Sequence, residues 1–181
     1  MVVSSINYNG PIRHIYGPAV YIPGQMTYGI VTGEIFKSRL EEAFASTNGR
    51  CTVETEHRIR ILVCDAGVGV GDFNSETAKV FFDLKIAVIV GVSEGNTPAF
   101  TSKFILSATK MGIACVELAP EDFAQFVRMI KLYECDVSFD FGALEATLSN
   151  YWHAHLAMNE AHRQALLSGT WAVTDDNPFR Q

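Results

Sequence analysis

The sequence is poor in charged residues, and above all in positive charge. Only 19% of its 181 residues are charged, and 14 Lys and Arg stand against 20 Asp and Glu, which gives a formal net charge of -6. Proteins bind nucleic-acid phosphates through clustered Lys and Arg side chains, whereas the basic residues of this chain are scattered. We therefore do not expect a nucleic-acid partner.

Signals for disulfides, metal centres, secretion and membrane insertion are also lacking. The four cysteines form no CxxC pair, and three of them fall in apolar strand candidates, where cysteine usually acts as a small buried hydrophobe. The N-terminus has no basic region followed by an apolar run of signal length, and no uncharged apolar stretch approaches the roughly 18 residues of a membrane helix. We expect a cytoplasmic protein without a bound metal and without a membrane partner.

What the chain does contain is apolar residues, which make up 48% of it and predict a single domain over residues 1–181 with a substantial core. Glycine and proline recur so often in residues 1–31 that we expect an irregular N-terminal arm or lid there. Residues 33–45 place apolar side chains on one helical face and predict the first helix.

Beyond residue 60, apolar runs of strand length alternate with amphipathic segments. Strands are predicted at 60–64, 86–92, 113–118, 136–141 and 170–175, with helices at 75–83, about 98–111, about 120–130 and from about 144 or 149 to 167. Continuous apolar strands separated by helices are typical of a parallel sheet covered on both faces. The prediction is an α/β fold with a Rossmann-like, doubly wound, mainly parallel sheet that is truncated after the fifth strand.

The segment ILVCDAGVGVGDF, residues 61–73, suggests a ligand site. Three glycines follow the strand at alternate positions: Gly67, Gly69 and Gly71. Ligands bind at the carboxyl ends of parallel strands, and glycines let the backbone approach them closely. Asp65 and Asp72 flank these glycines, and no Lys or Arg lies between Leu62 and Ala78, so the loop favours a ligand with positive charge over a phosphate.

At this loop the chain resembles the class I S-adenosylmethionine-dependent methyltransferases, whose first motif is D-x-G-x-G-x-G. Here the motif reads Asp65-Ala66-Gly67-Val68-Gly69-Val70-Gly71, and the similarity continues in order over about 115 residues. The resemblance implies S-adenosylmethionine as cofactor, bound by Asp65, Gly67, Gly69, Gly71, Glu94 and Asp122. The chain departs from the family at Ser93 and Ala119, which stand where acidic residues are frequent, and it lacks the last two strands of that fold.

The same resemblance implies methyl transfer to a small molecule such as a natural product. His153 and Glu145 are then the candidate catalytic residues, and Tyr21, Tyr28 and Asp140 the candidate substrate-binding residues. In the predicted helix His153 and His155 would lie about 200 degrees apart and could not face one site, so a metal ranks last.

A second resemblance ranks lower. The ILV strand, the later G-x-G and the IPG at Ile22–Gly24 are similar to the small subunit of isopropylmalate dehydratases, but the Ser-Ser-Arg-Glu stretch of that family is replaced by Asp72, Phe73, Asn74 and Ser75. Two other functions stay open: a non-methylating isomerase or cyclase that kept the fold, and a non-catalytic subunit. The edge of the shortened sheet would be covered by a homodimer, by a partner chain or by the N-terminal arm.

Overall fold

The computed structural model describes residues 10–22, 38, 41–43, 45, 60–64, 75–96, 98–133, 136–148 and 152–173. The described residues between 38 and 45 are helical, in agreement with the predicted first helix. The described residues form seven strands: β1 (His14–Ile22), β2 (Arg60–Cys64), β3 (Ile86–Val92), β4 (Ala114–Leu118), β5 (Asp136–Asp140), β6 (Glu145–Leu148) and β7 (Trp152–His155). The further helices are α1 (Ser75–Asp83), α2 (Ser102–Lys110), α3 (Pro120–Tyr133) and α4 (Glu160–Ser168), followed by a 3-10 helix at Thr170–Val173.

All seven strands belong to one mixed sheet with the order β4-β3-β2-β1-β5-β6-β7. Strands β1 to β4 run parallel to one another, whereas β5, β6 and β7 are antiparallel additions on the other side of β1. The prediction of a mainly parallel, Rossmann-like sheet truncated after its fifth strand is therefore wrong. Nearly half of the sheet is antiparallel.

Strand β1 joins the two halves of the sheet. Its first part, His14–Pro18, pairs with β5, and its second part, Ala19–Ile22, pairs with β2. Pro18 lies where one pairing gives way to the other, so the missing N–H of this proline interrupts neither ladder. The prediction of an irregular arm over residues 1–31 is wrong for this stretch, because the segment with Gly17 and Pro18 is the central strand.

The sheet curls until its two ends meet, which gives a half-barrel. Glu117 of β4 and Ala157, just beyond β7, form an antiparallel bridge in which each N–H donates to the other's carbonyl oxygen, at 2.8 and 2.9 Å. Strand β4, at one end of the sheet, is thus hydrogen-bonded to the segment just after β7, at the other end.

The concave side of the sheet is filled by α3. Phe126 stacks on Trp152 of β7 at a ring-centroid distance of 4.9 Å, and Phe123 meets Tyr21 of β1 edge to face at 6.4 Å. Helices α1 and α2 pack on the opposite face of the parallel half, where Phe81 and Phe104 make an edge contact. Along β5, β6 and β7 burial alternates residue by residue, so this antiparallel part buries one face only.

Several elements follow the predicted bounds closely, among them β2, β3, α1 and α3, and these predictions are confirmed. The long helix predicted at about 144–167 is wrong, since this stretch forms β6, β7 and only then α4. The predicted last strand at 170–175 is also wrong, because residues 170–173 form a 3-10 helix. Among the helices described here, none is long and apolar enough to cross a membrane.

Candidate functional site

The carboxyl ends of the four parallel strands lie along one edge of the half-barrel. These ends are Ile22, Cys64, Val92 and Leu118. In α/β sheets this edge is where ligand-binding loops are presented. The predicted cofactor residues Asp65, Gly67, Gly69 and Gly71 follow β2 directly in sequence, but they and Tyr28 lie outside the described residues.

The loop after β3 is folded back tightly onto its own strand. A Cβ atom added at Gly91 would lie 2.7 Å from Cβ of Ala99, closer than two such atoms can approach. Ser93 fixes the start of the loop, since both its backbone N–H (3.1 Å) and its hydroxyl (3.3 Å) donate to the carbonyl oxygen of Leu118. Residue 91 must therefore be glycine for the loop to fold in this way.

Glu117 fixes the far end of the same loop. Its carboxylate accepts a hydrogen bond from the N–H of Ala99, while its backbone forms the bridge to Ala157. Thr101 then caps α2 by accepting the N–H of Phe104 at 3.2 Å. Glu117 on β4 thus connects the closing bridge of the half-barrel, through its backbone, to the loop at the carboxyl edge, through its side chain.

Sequence reasoning missed both Gly91 and Glu117, although each carries a recognisable signal. A glycine within the apolar strand IAVIVGV indicates a close approach of another part of the chain. A lone acid in the strand ACVEL is unusual in a parallel sheet, whose strands are apolar on both faces.

Three predicted site residues lie along the carboxyl edge. Glu94 is exposed in the loop after β3, and Asp122 is half-buried in the first turn of α3, where an acid stabilises the helix N-terminus. Tyr21 lies near the end of β1, with its ring against Phe123 and the Nζ atom of Lys131 at 4.7 Å from the ring centroid. Its contacts are those of a packed aromatic residue.

The predicted catalytic residues lie elsewhere, on the exposed face of the β6–β7 hairpin. Nε2 of His153 is 3.4 Å from Oε1 of Glu145, so the structure does bring these two side chains together. The expectation that His153 and His155 diverge is wrong, because both lie in a strand, where alternate residues share a face. Their ring centroids are 5.7 Å apart.

Asp140, predicted to bind substrate, organises the turn between β5 and β6. Its Oδ1 atom accepts the N–H groups of Gly142 (2.8 Å) and Ala143 (2.9 Å). Partial desolvation opposes ionisation, but these two hydrogen bonds and the nearby His14 and Arg13 lower the pKa of Asp140 below its ordinary value of 3.8. The contacts of Asp140 account for a structural role in the turn.

His162 in α4 is a buried polar residue whose role sequence reasoning did not assign. Its side chain is 2% exposed. Nε2 accepts the N–H of Cys115 at 3.0 Å, so the proton of the neutral ring is on Nδ1, which donates to Oγ1 of Thr109 at 2.6 Å. The Thr109 hydroxyl in turn donates to the carbonyl oxygen of Ile105. Burial lowers the pKa of the imidazole from 6.5 to about 4.

No protein-family model matches this chain. The chain is similar to the 3-isopropylmalate dehydratase small subunits of two strains of Thermus thermophilus, with 29% identity to one and 30% to the other, over 112 residues in each case. These matches cover 61% of this chain and 52% of each relative, so the chain spans about half the length of the curated relatives it matches.

A solved structure with a similar fold is 3-isopropylmalate dehydratase (LeuD) from Methanocaldococcus jannaschii. The two chains superpose with a TM-score of 0.54 at 13% identity, over 84% of this chain and 87% of that one. The fold is therefore that of the LeuD half-barrel. This overturns the methyltransferase resemblance together with the S-adenosylmethionine cofactor and the methyl-transfer function that it implied, and the lower-ranked resemblance was the better one.

Proposed function

We propose that this chain is the small subunit of a hydroxy-acid dehydratase and works together with a separate, larger chain. The observation that carries the proposal is that sequence similarity and fold similarity, found independently, lead to the same class of protein. A protein named as a small subunit implies a larger partner. A dehydratase removes a hydroxyl group and a proton from adjacent carbon atoms and releases water and an alkene.

The carboxyl edge of β1 to β4 is the part of this chain that we assign to the active site. Loops at this edge are where α/β sheets bind ligands, and the glycine-rich segment 65–71 follows β2 there. We propose that the loop after β3, which Ser93 and Glu117 hold in place by hydrogen bonds, borders the same site. We propose Gly67, Gly69 and Gly71 as the positions at which the backbone approaches the substrate.

The lack of positive charge in this segment limits how well the chain alone can bind an anionic substrate. 3-Isopropylmalate is a dicarboxylate, and no Lys or Arg lies between Leu62 and Ala78. Asn74 stands where the Ser-Ser-Arg-Glu stretch of the dehydratase small subunits has its arginine. We propose that the cations which bind the substrate carboxylates come from the larger chain, or that the natural substrate carries less negative charge.

The larger chain has no need to extend the sheet at β4. Residues of this chain already cover the outer edge of β4, through the bridge from Ala157 to Glu117 and the hydrogen bond from Cys115 to His162. We therefore propose that the partner contacts the carboxyl edge and its loops rather than the outer edge of β4.

The test is reconstitution with dehydratase large subunits from the host organism of this chain. Light scattering after size exclusion measures whether the two chains form a stable complex. Ultraviolet absorption of the new carbon–carbon double bond measures dehydration of 3-isopropylmalate and of a panel of related hydroxy acids. We expect a complex of defined stoichiometry and turnover that requires both chains.

Two variants sharpen this experiment. Gly69→Val should keep the complex but lower turnover, since a branched side chain hinders approach of the substrate to the backbone. Asn74→Arg should increase turnover of dicarboxylates relative to monocarboxylates. A chain that forms no complex and supports no turnover with any of these large subunits would contradict the proposal.

A further inference from the structure

The exposed face of the β6–β7 hairpin gathers one carboxylate and two imidazoles. His153 and His155 alternate with buried Trp152 and Ala154, so both rings project to the same side of the sheet. Glu145 on β6 projects to this side as well, since the next residue, Ala146, is buried on the opposite face. The side chains of His153 and Glu145 are 52% and 40% exposed, so a solute can reach them.

The pairing of the two strands brings Glu145 close to both histidines. Glu145 lies directly opposite His155 in the register. The N–H of Leu156 donates to the carbonyl oxygen of Leu144, which makes the adjoining pair, Glu145 and His155, a non-hydrogen-bonded pair. In such pairs the Cα atoms are about 4.5 Å apart and the side chains are at their closest.

Glu145 and His153, which lie diagonally across the two strands, have the spacing of two ligands of one metal ion. Nε2 of His153 and Oε1 of Glu145 are 3.4 Å apart, which is longer than the roughly 2.7–2.9 Å of a charge-assisted hydrogen bond. Two ligand atoms at about 2.1 Å from a tetrahedral zinc ion are about 3.4 Å apart. The ring of His155 lies beside this pair, with its centroid 5.7 Å from that of His153.

We propose that Glu145, His153 and His155 bind a divalent transition-metal ion of the zinc type. Two histidines and one carboxylate form a ligand set that such ions prefer, and three protein ligands leave a coordination position for water or an external ligand. Among the described residues, no three potential ligands converge on one point as they stand. In the proposed site, rotation of the exposed His155 side chain about its χ angles completes the set.

Co²⁺ is the probe for the first experiment, because its visible spectrum reports the ligands. The full chain is titrated with Co²⁺ in a buffer that does not bind metals. We expect saturation at one ion per chain and bands typical of nitrogen and oxygen ligands, without the near-ultraviolet charge transfer that thiolate ligands produce. Competition with Zn²⁺ should abolish the bands, and affinity should fall at acid pH, since the histidines must be deprotonated.

Single variants assign the ligands. His153→Ala, His155→Ala and Glu145→Gln should each weaken binding about tenfold or more. The matched control is His14→Ala, which removes another exposed histidine that is 3.7 Å from a carboxylate, that of Asp140, and should leave binding unchanged. Because these side chains are exposed, we expect the folded state to persist, and far-ultraviolet circular dichroism of each variant checks this.

Three outcomes of the titrations on the native chain and the ligand variants would overturn the proposal, as would a fourth from the control. These are the absence of saturable binding at millimolar Co²⁺, a thiolate spectrum, and binding that survives all three ligand variants. Loss of binding in His14→Ala as well would indicate diffuse attraction to the acidic surface rather than a site. The result does not depend on the dehydratase proposal, because metal binding is measured on the isolated chain.

Discussion

Nε2 of His162 accepts the backbone N–H of Cys115 at 3.0 Å, so an imidazole from α4 takes the place of a neighbouring strand at the outer edge of β4. Two residues further along the same edge, Glu117 pairs with Ala157. The half-barrel therefore closes through one side chain and one backbone bridge. A neutral histidine suits this position, because one ring nitrogen can accept a hydrogen bond from the strand while the other donates one to Thr109.

We expect the stability of the protein to fall on mild acidification because of His162. The unfolded chain binds a proton at this residue near pH 6.5, whereas burial lowers the pKa in the folded state to about 4. The contribution is thus fully present above pH 6.5 and is lost as the pH falls towards 4, by up to about 3 kcal/mol. Urea unfolding between pH 7 and pH 4 measures this loss. His162→Gln should remove this component of the pH dependence, and an unchanged slope in the variant would contradict the assignment.

Thr109→Val should destabilise the protein by leaving Nδ1–H of His162 without an acceptor. Thr and Val side chains have nearly the same shape, so the expected loss of about 1–3 kcal/mol reports this partly buried hydrogen bond. The control is Ser107→Ala in the same helix, because the Ser107 hydroxyl donates only to the carbonyl oxygen of Lys103. Similar losses in both variants, measured by chemical unfolding, would count against the role of the His162 contact.

The parallel half of the sheet was largely predictable from sequence. Strands β2 and β3 are uninterrupted apolar runs because both of their faces are covered, and such runs can be recognised in the sequence without knowledge of the fold. Strand β1 could not be recognised from the sequence. Its Gly17 and Pro18 resemble loop residues, and only the change of pairing partner at Pro18 makes a strand possible there.

The predicted strand at 136–141 is confirmed as β5, but the β6–β7 hairpin was misread because a helical interpretation was imposed on a two-residue period. Ala146 and Leu148 on β6, like Trp152 and Ala154 on β7, are buried alternately with polar residues, which is the pattern of a half-buried strand. This error also separated His153 from His155. The glycine-rich motif was then assigned to the wrong family, since a strand followed by alternating glycines is common to several α/β folds.

Gly91→Ala should destabilise the loop at residues 93–101, because the added Cβ would lie 2.7 Å from Cβ of Ala99. Backbone movement to relieve this overlap costs about 1–3 kcal/mol. Ala99→Gly removes the opposing atom, so the double variant should recover much of the loss. A double-mutant cycle based on thermal or urea unfolding measures this coupling, and strictly additive effects would contradict direct packing of the loop on β3.

Variants of Asp140 test whether this residue stabilises the turn between β5 and β6 or binds substrate. Asp140→Ala removes the acceptor of two backbone N–H groups, and we expect a loss of about 1–3 kcal/mol in the free energy of unfolding. Asp140→Asn should lose less, because its amide oxygen can still accept these bonds. The pKa of the aspartate is lowered in the folded state, so its charge contributes stability above pH 3.8 that is lost at lower pH, and the Asn variant should lack this loss. An Asn variant with full stability but impaired turnover in the reconstituted enzyme would instead restore the substrate-binding role predicted from the sequence.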